Sequence, residues 1–258
     1  MMKKLIMAIL FCFCGTSVYA ASTPEVIWVG GGWRLSDESA PIFMADTFLS
    51  LGQLDSTYLF SEPLLFLKGG EIGLGLGAGA RVPILDGQAL AGYNVFFDYT
   101  TDNYHKRLTT GAEFFHPTFS AHINAYLPFS DEHNRREALP GIDLALGIPI
   151  PNASFITLWP TLYYYDGRDE DDLKGLGFAV EVKPVKALSV TVGGRNDAIE
   201  SGRDRGEIFI SLQFTLPMER LGEDLFKFEK GEYPRNVNAL LDHRVVREPF
   251  ITYEHRLP

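Results

Sequence analysis

The sequence predicts an all-β chain, a transmembrane antiparallel β-barrel of about twelve strands, with its C-terminal linker threading the lumen. Three observations predict it. Segments of strand length alternate between a continuous apolar face and a polar one. The links between them alternate between long and short. No apolar run beyond the first twenty residues is long enough for a helix to span a bilayer, so a membrane-embedded chain must cross as closed strands.

The chain has 258 residues, with 13% aromatics and 25 glycines. Its mean hydropathy of -0.00 excludes a helical membrane protein but not a barrel, whose inward face dilutes hydropathy. The formal charge of -10 argues against nucleic acid and anionic headgroups as partners.

The N-terminus reads as a cleaved secretory signal peptide over residues 1–20. Lys3 and Lys4 form the charged region, Leu5 to Cys14 the apolar core, and Val18-Tyr19-Ala20 a cleavage site before Ala21. Both cysteines lie in this segment, so the mature chain is expected to hold no disulfide and no thiolate metal site.

The barrel is expected over residues 21–217. Its first segments, Ile27 to Trp33, Ile42 to Leu51 and Ser56 to Leu65, are the weakest in pattern. The next is clean. Ile72, Leu74, Leu76 and Ala78 oppose Glu71 and a run of alternate glycines from Gly73 to Gly79. In the central segment Ala91, Tyr93, Val95, Phe97 and Tyr99 oppose Gly92, Asn94, Phe96 and Asp98. Leu108 to Phe114 opposes Arg107, Thr109, Gly111 and Glu113. Phe119 to Leu127 opposes Ser120, His122, Asn124 and Tyr126. The same alternation recurs from Ile142 to Ile148, Leu176 to Val182, Leu188 to Val192 and Ile208 to Leu216. Phe155 to Tyr165 is strand-like, but aromatics on both faces leave it unoriented.

Long polar links at Thr101–Tyr104, Ser130–Leu139, Asp166–Leu173 and Asn196–Arg205 are separated by short ones near Pro117, Asn152 and Val185. That asymmetry fits an outer-membrane barrel with long loops outside and tight turns in the periplasm. The glycines of the polar face suggest a lumen cleared for an occupant. A barrel of roughly eight strands fills itself, and one of roughly sixteen leaves a water channel. An intermediate size leaves room for one polypeptide segment. Residues 218–258 are too polar for lipid and are read as that linker or plug. Its Arg244 and Arg247 are expected to meet lumen charges such as Arg81, Asp98, Glu113 and Glu181.

Three stretches resemble the β-domain of the intimin/invasin family, the inverse autotransporters. They are Gly77-Ala78-Gly79-Ala80-Arg81 followed by Leu90 to Tyr99, Arg107 to Glu113 followed by Ser120 to Tyr126, and Arg244 to Glu248 followed by Ile251, Tyr253 and Glu254. The resemblance covers about residues 70–258 and implies a translocator barrel in a Gram-negative outer membrane, supporting surface display or attachment. Because the sequence stops after the last motif, the expectation is a translocator without a passenger. The implied partners are outer-membrane lipid, the barrel assembly machinery, and a host or cell-surface ligand at the outer loops. The alternative is a small pore or structural barrel with ligand-binding loops.

No enzyme, cofactor or metal site is expected. Ser120, His122 and Asn124 share a strand face, but positions two apart on a strand are spaced about 7 Å, too far for a nucleophile–base hydrogen bond, so they read as a solvated lumen face. The acidic cluster Asp166 to Asp172 lacks the glycine position of a calcium loop, and the alternating glycines are not a nucleotide fingerprint. Trp28, Trp33, Tyr99, Tyr104 and Tyr163–Tyr165 are candidates for interface belts or for packing.

Overall fold

A computed structural model of the chain describes residues 23–101, 104–130, 136–167, 172–198, 205–218, 225–228, 231–234 and 236–255. The signal peptide and Asp169 to Asp171 of the acidic loop lie outside these described residues.

Among the described residues the strands run in chain order as β1 (Glu25–Ser36), β2 (Ile42–Leu54), β3 (Thr57–Ser61), β4 (Leu64–Lys68), β5 (Glu71–Ile84), β6 (Ala89–Thr100), β7 (Lys106–His116) and β8 (Phe119–Pro128). There follow β9 (Arg136–Ala138), β10 (Gly141–Ile150), β11 (Ala153–Tyr165), β12 (Leu173–Val185), β13 (Leu188–Ala198), β14 (Arg205–Pro217) and β15 (Tyr253–His255). Thirteen of them form one antiparallel sheet. It closes on itself because β1 pairs with both β2 and β14, from Trp28 opposite Pro217 to Ser36 opposite Phe209. Closure removes every sheet edge, which is the condition for a sheet to cross lipid.

β3 and β4 are two pieces of one stave, since both lie between β2 and β5, so the wall has twelve staves. The sequence suggested one unbroken segment here. The break is at Glu62-Pro63, where proline has no N–H for the ladder. Its cost is small, because Glu62 N–H still donates to Gly77 O at 3.0 Å and Pro63 O still accepts from Thr47 N at 3.2 Å. The break leaves the Glu62 side chain buried inside the barrel.

Faces follow the alternation. Leu76 is 51% exposed, Ile123 44% and Leu176 63%, whereas Asn94, Asp98, Thr109, Glu113, His122 and Asn124 are buried. A sheet that exposes its aliphatic side chains and buries its acids is built for lipid outside. β11 is oriented by its partners. Trp159, Tyr163 and Tyr165 point inward, with Tyr163 OH bonded to Asp197 and Tyr165 stacked on Tyr126, while Leu162 and Tyr164 point outward. Trp28 also turns inward and Tyr104 lies outside.

Two-residue turns at Pro117-Thr118, Pro151-Asn152 and Lys186-Ala187 share one end of the barrel with residues 85–88, the start of β1 and the end of β14. The longer links lie at the other end. The Gly69-Gly70 hairpin is the short exception there, with φ of +58° and +91° in the left-handed region that its tight reversal needs. A second sheet of two strands pairs β15, from the C-terminal segment, with β9, in the long link between β8 and β10.

Candidate functional site

The inward polar face of β5 to β10 meets residues 236–255. Register builds this face. Asp98 stands directly opposite Arg107 across β6 and β7. Arg81 and Glu113 flank Gly92 from the two sides. A Cβ at Gly92 would stand 2.7 Å from Glu113 Oε2, so glycine lets the two side chains meet over it. Arg81 donates from Nε and Nη2 to the two Glu113 oxygens at 3.0 and 3.1 Å. Arg107 donates from Nε and Nη2 to Asp98 Oδ2 at 3.1 and 2.9 Å, and Thr109 Oγ1 donates to the same oxygen at 2.9 Å. Aromatic faces line both guanidiniums. Phe60 and Phe115 lie 4.6 and 4.9 Å from Arg81, and Tyr126 lies 4.5 Å from Arg107.

A guanidinium has five N–H donors, and a carboxylate uses only some of them. The remainder go to main-chain carbonyls of the C-terminal segment. Arg81 Nη1 donates to Leu241 O and His243 O, each at 2.6 Å. Arg107 donates from Nη2 to Glu248 O at 2.7 Å and from Nη1 to Phe250 O at 2.8 Å. Trp28 Nε1 donates to Asp242 O at 2.8 Å, and Asn124 Nδ2 to Val246 O at 3.0 Å. In the other direction, Val245 N–H donates to Glu62 Oε2 at 2.9 Å and Glu248 N–H to Tyr126 OH at 2.8 Å.

Two charge pairs join the segment to the wall. Arg247 Nη1 hydrogen-bonds Asp98 Oδ2 at 3.0 Å and lies 2.9 Å from Oδ1. Arg244 donates to Asp46 from Nε at 2.6 Å and from Nη2 at 3.1 Å. Each arginine passes over a glycine. A Cβ at Gly75 would stand 2.8 Å from Arg247 Nη2, and one at Gly30 would stand 2.6 Å from Arg244 Nη2. Most glycines read from sequence as clearing the lumen have another cause. Gly73, Gly77 and Gly79 make room for the rings of Phe66, Phe96 and Phe60, which belong to the wall.

Of the charges singled out in the sequence, Arg81 and Glu113 thus pair with each other, and Asp98 joins Arg107 to Arg247. Glu181 bonds within the wall, accepting from Trp159 Nε1 at 3.0 Å and Ser189 Oγ at 2.6 Å and pairing with Lys183 at 3.3 Å. Sequence reasoning missed Asp46 and Glu62. Each carried a signal: Asp46 is the only charge between Ile42 and Leu54, and Glu62 precedes a proline in mid-strand.

The Ser120, His122 and Asn124 face differs from expectation in two ways. It is not solvated, with His122 1% and Asn124 2% exposed. His122 Nε2 also lies 3.0 Å from Ser120 Oγ, because the imidazole leans along the strand and spans the gap between the two positions. The constellation goes no further. Asn124 bonds Asp143 at 2.7 Å, and Glu113, 4.0 Å from His122 Nδ1, is held by Arg81.

Apolar contacts follow the same segment. Val245 packs among Trp28, Phe48, Phe60 and Phe96, and the 3-10 turn Val237–Leu240 packs against Leu90 and Phe115. Beside it a cavity of about 1180 Å³ remains, bordered by Trp159, Glu181, Thr191 and Gln213 and reaching the short turns at Pro117 and Lys186.

No curated protein matches this sequence. The family model described as "Inverse autotransporter, beta-domain" matches residues 37–240. Among solved structures, one described as "Unveiling the Mechanism Behind the in-meso Crystallization of Membrane Proteins" aligns with a TM-score of 0.76 at 17% identity, covering 89% of this chain and all of that one. The KdgM porin aligns at 0.53 and 9% identity, covering 73% and 98%. At such identities the likeness is one of fold alone.

Proposed function

This chain belongs to the inverse autotransporter β-domain family, and from that membership we propose that it is a translocator-type barrel whose C-terminal linker occupies its own pore and reaches the cell surface. The family and the barrel fold put the protein in the outer membrane of a Gram-negative bacterium. On this reading a cleaved signal peptide brings the chain to the periplasm, and the barrel assembly machinery inserts it. The pore then serves surface display or attachment, with no catalytic step.

One observation carries the proposal: contacts of the C-terminal segment follow the barrel from end to end. Leu225 O accepts from Ala187 N in a short turn, and Glu232 O from Ser154 Oγ beside another. Tyr233 OH donates to Pro149 O nearby. Leu241 to Phe250 meet Arg81, Asp46, Asp98 and Arg107 in turn. Tyr253 pairs with Ala138 in a long link at the other end. With short turns periplasmic and long loops outside, that order is an inside-to-outside path.

The test is conductance in planar bilayers. The full chain should stay mostly closed, and a chain ended after Leu216 should give a steady open current. The alternative, a small pore with ligand-binding loops, draws on the cavity beside the segment and predicts equal conductance from both chains.

A further inference from the structure

Resting on that reading, we propose that Arg81 and Arg107 are two main-chain clamps that bind a polypeptide by its carbonyls, whatever its sequence.

The geometry of the two stations is alike. Each arginine is fully buried, and each has its charge neutralised from within the wall, by Glu113 and by Asp98. Neither therefore needs an acidic residue from the bound chain. Each carboxylate also fixes its guanidinium, so the remaining donors are aimed before any chain arrives. The acceptors at each station are carbonyls two residues apart, 241 with 243 and 248 with 250. Leu241, at the end of the 3-10 turn, is in the αR region (φ −64°, ψ −31°), whereas Glu248 precedes Pro249, which disfavours that region, so the clamps require no single backbone conformation and read no side chain.

The clamped residues have nothing chemical in common. They are leucine, histidine, glutamate and phenylalanine, and Pro249 sits inside the second station. Proline lacks an N–H but keeps its carbonyl, so a grip through carbonyls tolerates it. The other wall contacts extend the same logic: Trp28 and Asn124 also take carbonyls, while Glu62 and Tyr126 take N–H groups. Side-chain recognition by charge includes Arg244 with Asp46 and Arg247 with Asp98. Those two pairs set the register, and the clamps supply the hold. A barrel gripping in this way can keep hold of successive segments of a moving chain, since every residue offers a carbonyl.

The test uses the full-length chain and its open probability in planar bilayers, with resistance of the folded barrel to heat on a gel as the fold control. In the first arm residues 241–243, 246 and 248–250 are rewritten as alternating serine and alanine, with Arg244, Val245 and Arg247 kept because they pair with Asp46, pack among the wall aromatics and pair with Asp98. The pore should stay closed, with open probability within about threefold of the parent. In the second arm the rewritten chain also carries Arg81→Met with Glu113→Gln, and Arg107→Met with Asp98 kept as the partner of Arg247. Glu113 is neutralised with its arginine and Asp98 stays paired with Arg247, so that no buried charge is stranded. Open probability should then rise about tenfold or more, since a charge-assisted hydrogen bond contributes more than a neutral one. If the rewritten segment alone opens the pore as fully as truncation after Leu216 does, the hold is sequence-specific and the clamp proposal fails while the plugged-pore reading stands. If the second arm stays closed, the arginines do not supply the hold and the proposal also fails. If the truncated and parent chains conduct alike, the plugged-pore reading itself fails. The first arm leaves the wall untouched, so it decides even if the three-substitution barrel does not fold.

Discussion

Arg244 Nε donates to Asp46 Oδ2 at 2.6 Å, joining two residues 198 positions apart in the chain. Asp46 is in β2 and its carboxylate is 4% exposed, while the Arg244 side chain keeps 26%. The guanidinium also lies 4.5 Å from the ring of Trp28. Removing Arg244 strands a buried acid, and removing Asp46 strands a partly solvated cation. Arg244→Gln should therefore loosen the segment by about 2–3 kcal/mol, the low end for a buried pair because one partner is partly wet. Asp46→Asn should cost less. The double variant should cost little more than Arg244→Gln alone, because the pair is then absent from both sides. Open probability in planar bilayers measures all three, and strictly additive effects would show that the two residues do not act as a pair.

Gly75 and Gly77 lie on one face of β5, yet their substitution should fail in different ways. A side chain at Gly75 takes the space of the Arg247 guanidinium beside Asp98, whereas one at Gly77 takes the space of the Phe96 ring in the wall. Gly75→Val should leave a heat-resistant barrel with an opened pore. Gly77→Val should lower the heat resistance itself, since displacing a packed ring costs about 1–3 kcal/mol. A barrel equally weakened by both changes would mean that Gly75 serves wall packing as Gly77 does.

The staves were legible because lipid enforces an unbroken apolar face, and a period of two survives in the sequence wherever that demand acts. It failed at Phe155 to Tyr165, where the inward Trp159, Tyr163 and Tyr165 are as aromatic as an outward face. What distinguishes them is their partners, Glu181 for Trp159 and Asp197 for Tyr163. Glu62-Pro63 was hidden for a different reason. The ladder continues through the flanking groups, so local pattern shows no strand end. The polar set around Arg81 was legible as charges on an inward face, but not as pairs. Which acid meets which arginine depends on register across strands and on where a distant segment lies, and neither is written in local alternation. The spacing argument at Ser120 and His122 failed because it measured the strand and ignored the length of the imidazole.

The two sides of the wall should respond oppositely to the same charge. Ile123 is near the middle of β8 and 44% exposed on the apolar outer face. Arginine there must sit in hydrocarbon or drag its stem toward the interface, a cost of about 2–4 kcal/mol at the midplane. Thr191 is in β13 and borders the inner cavity, opposite Glu181 across the β12–β13 pair. Arginine at Thr191 has open space of about 1180 Å³ beside it and a carboxylate within the reach of its stem. Its cost should be below about 1 kcal/mol, because a charge with a partner and access to water avoids most of the desolvation penalty. Urea unfolding of the barrel in lipid vesicles measures both. The expected order is a large loss for Ile123→Arg and a small one for Thr191→Arg. Equal losses would mean that the aliphatic band does not face lipid, and a larger loss at Thr191 would mean that the cavity is too dry or too tightly closed to accept a charge.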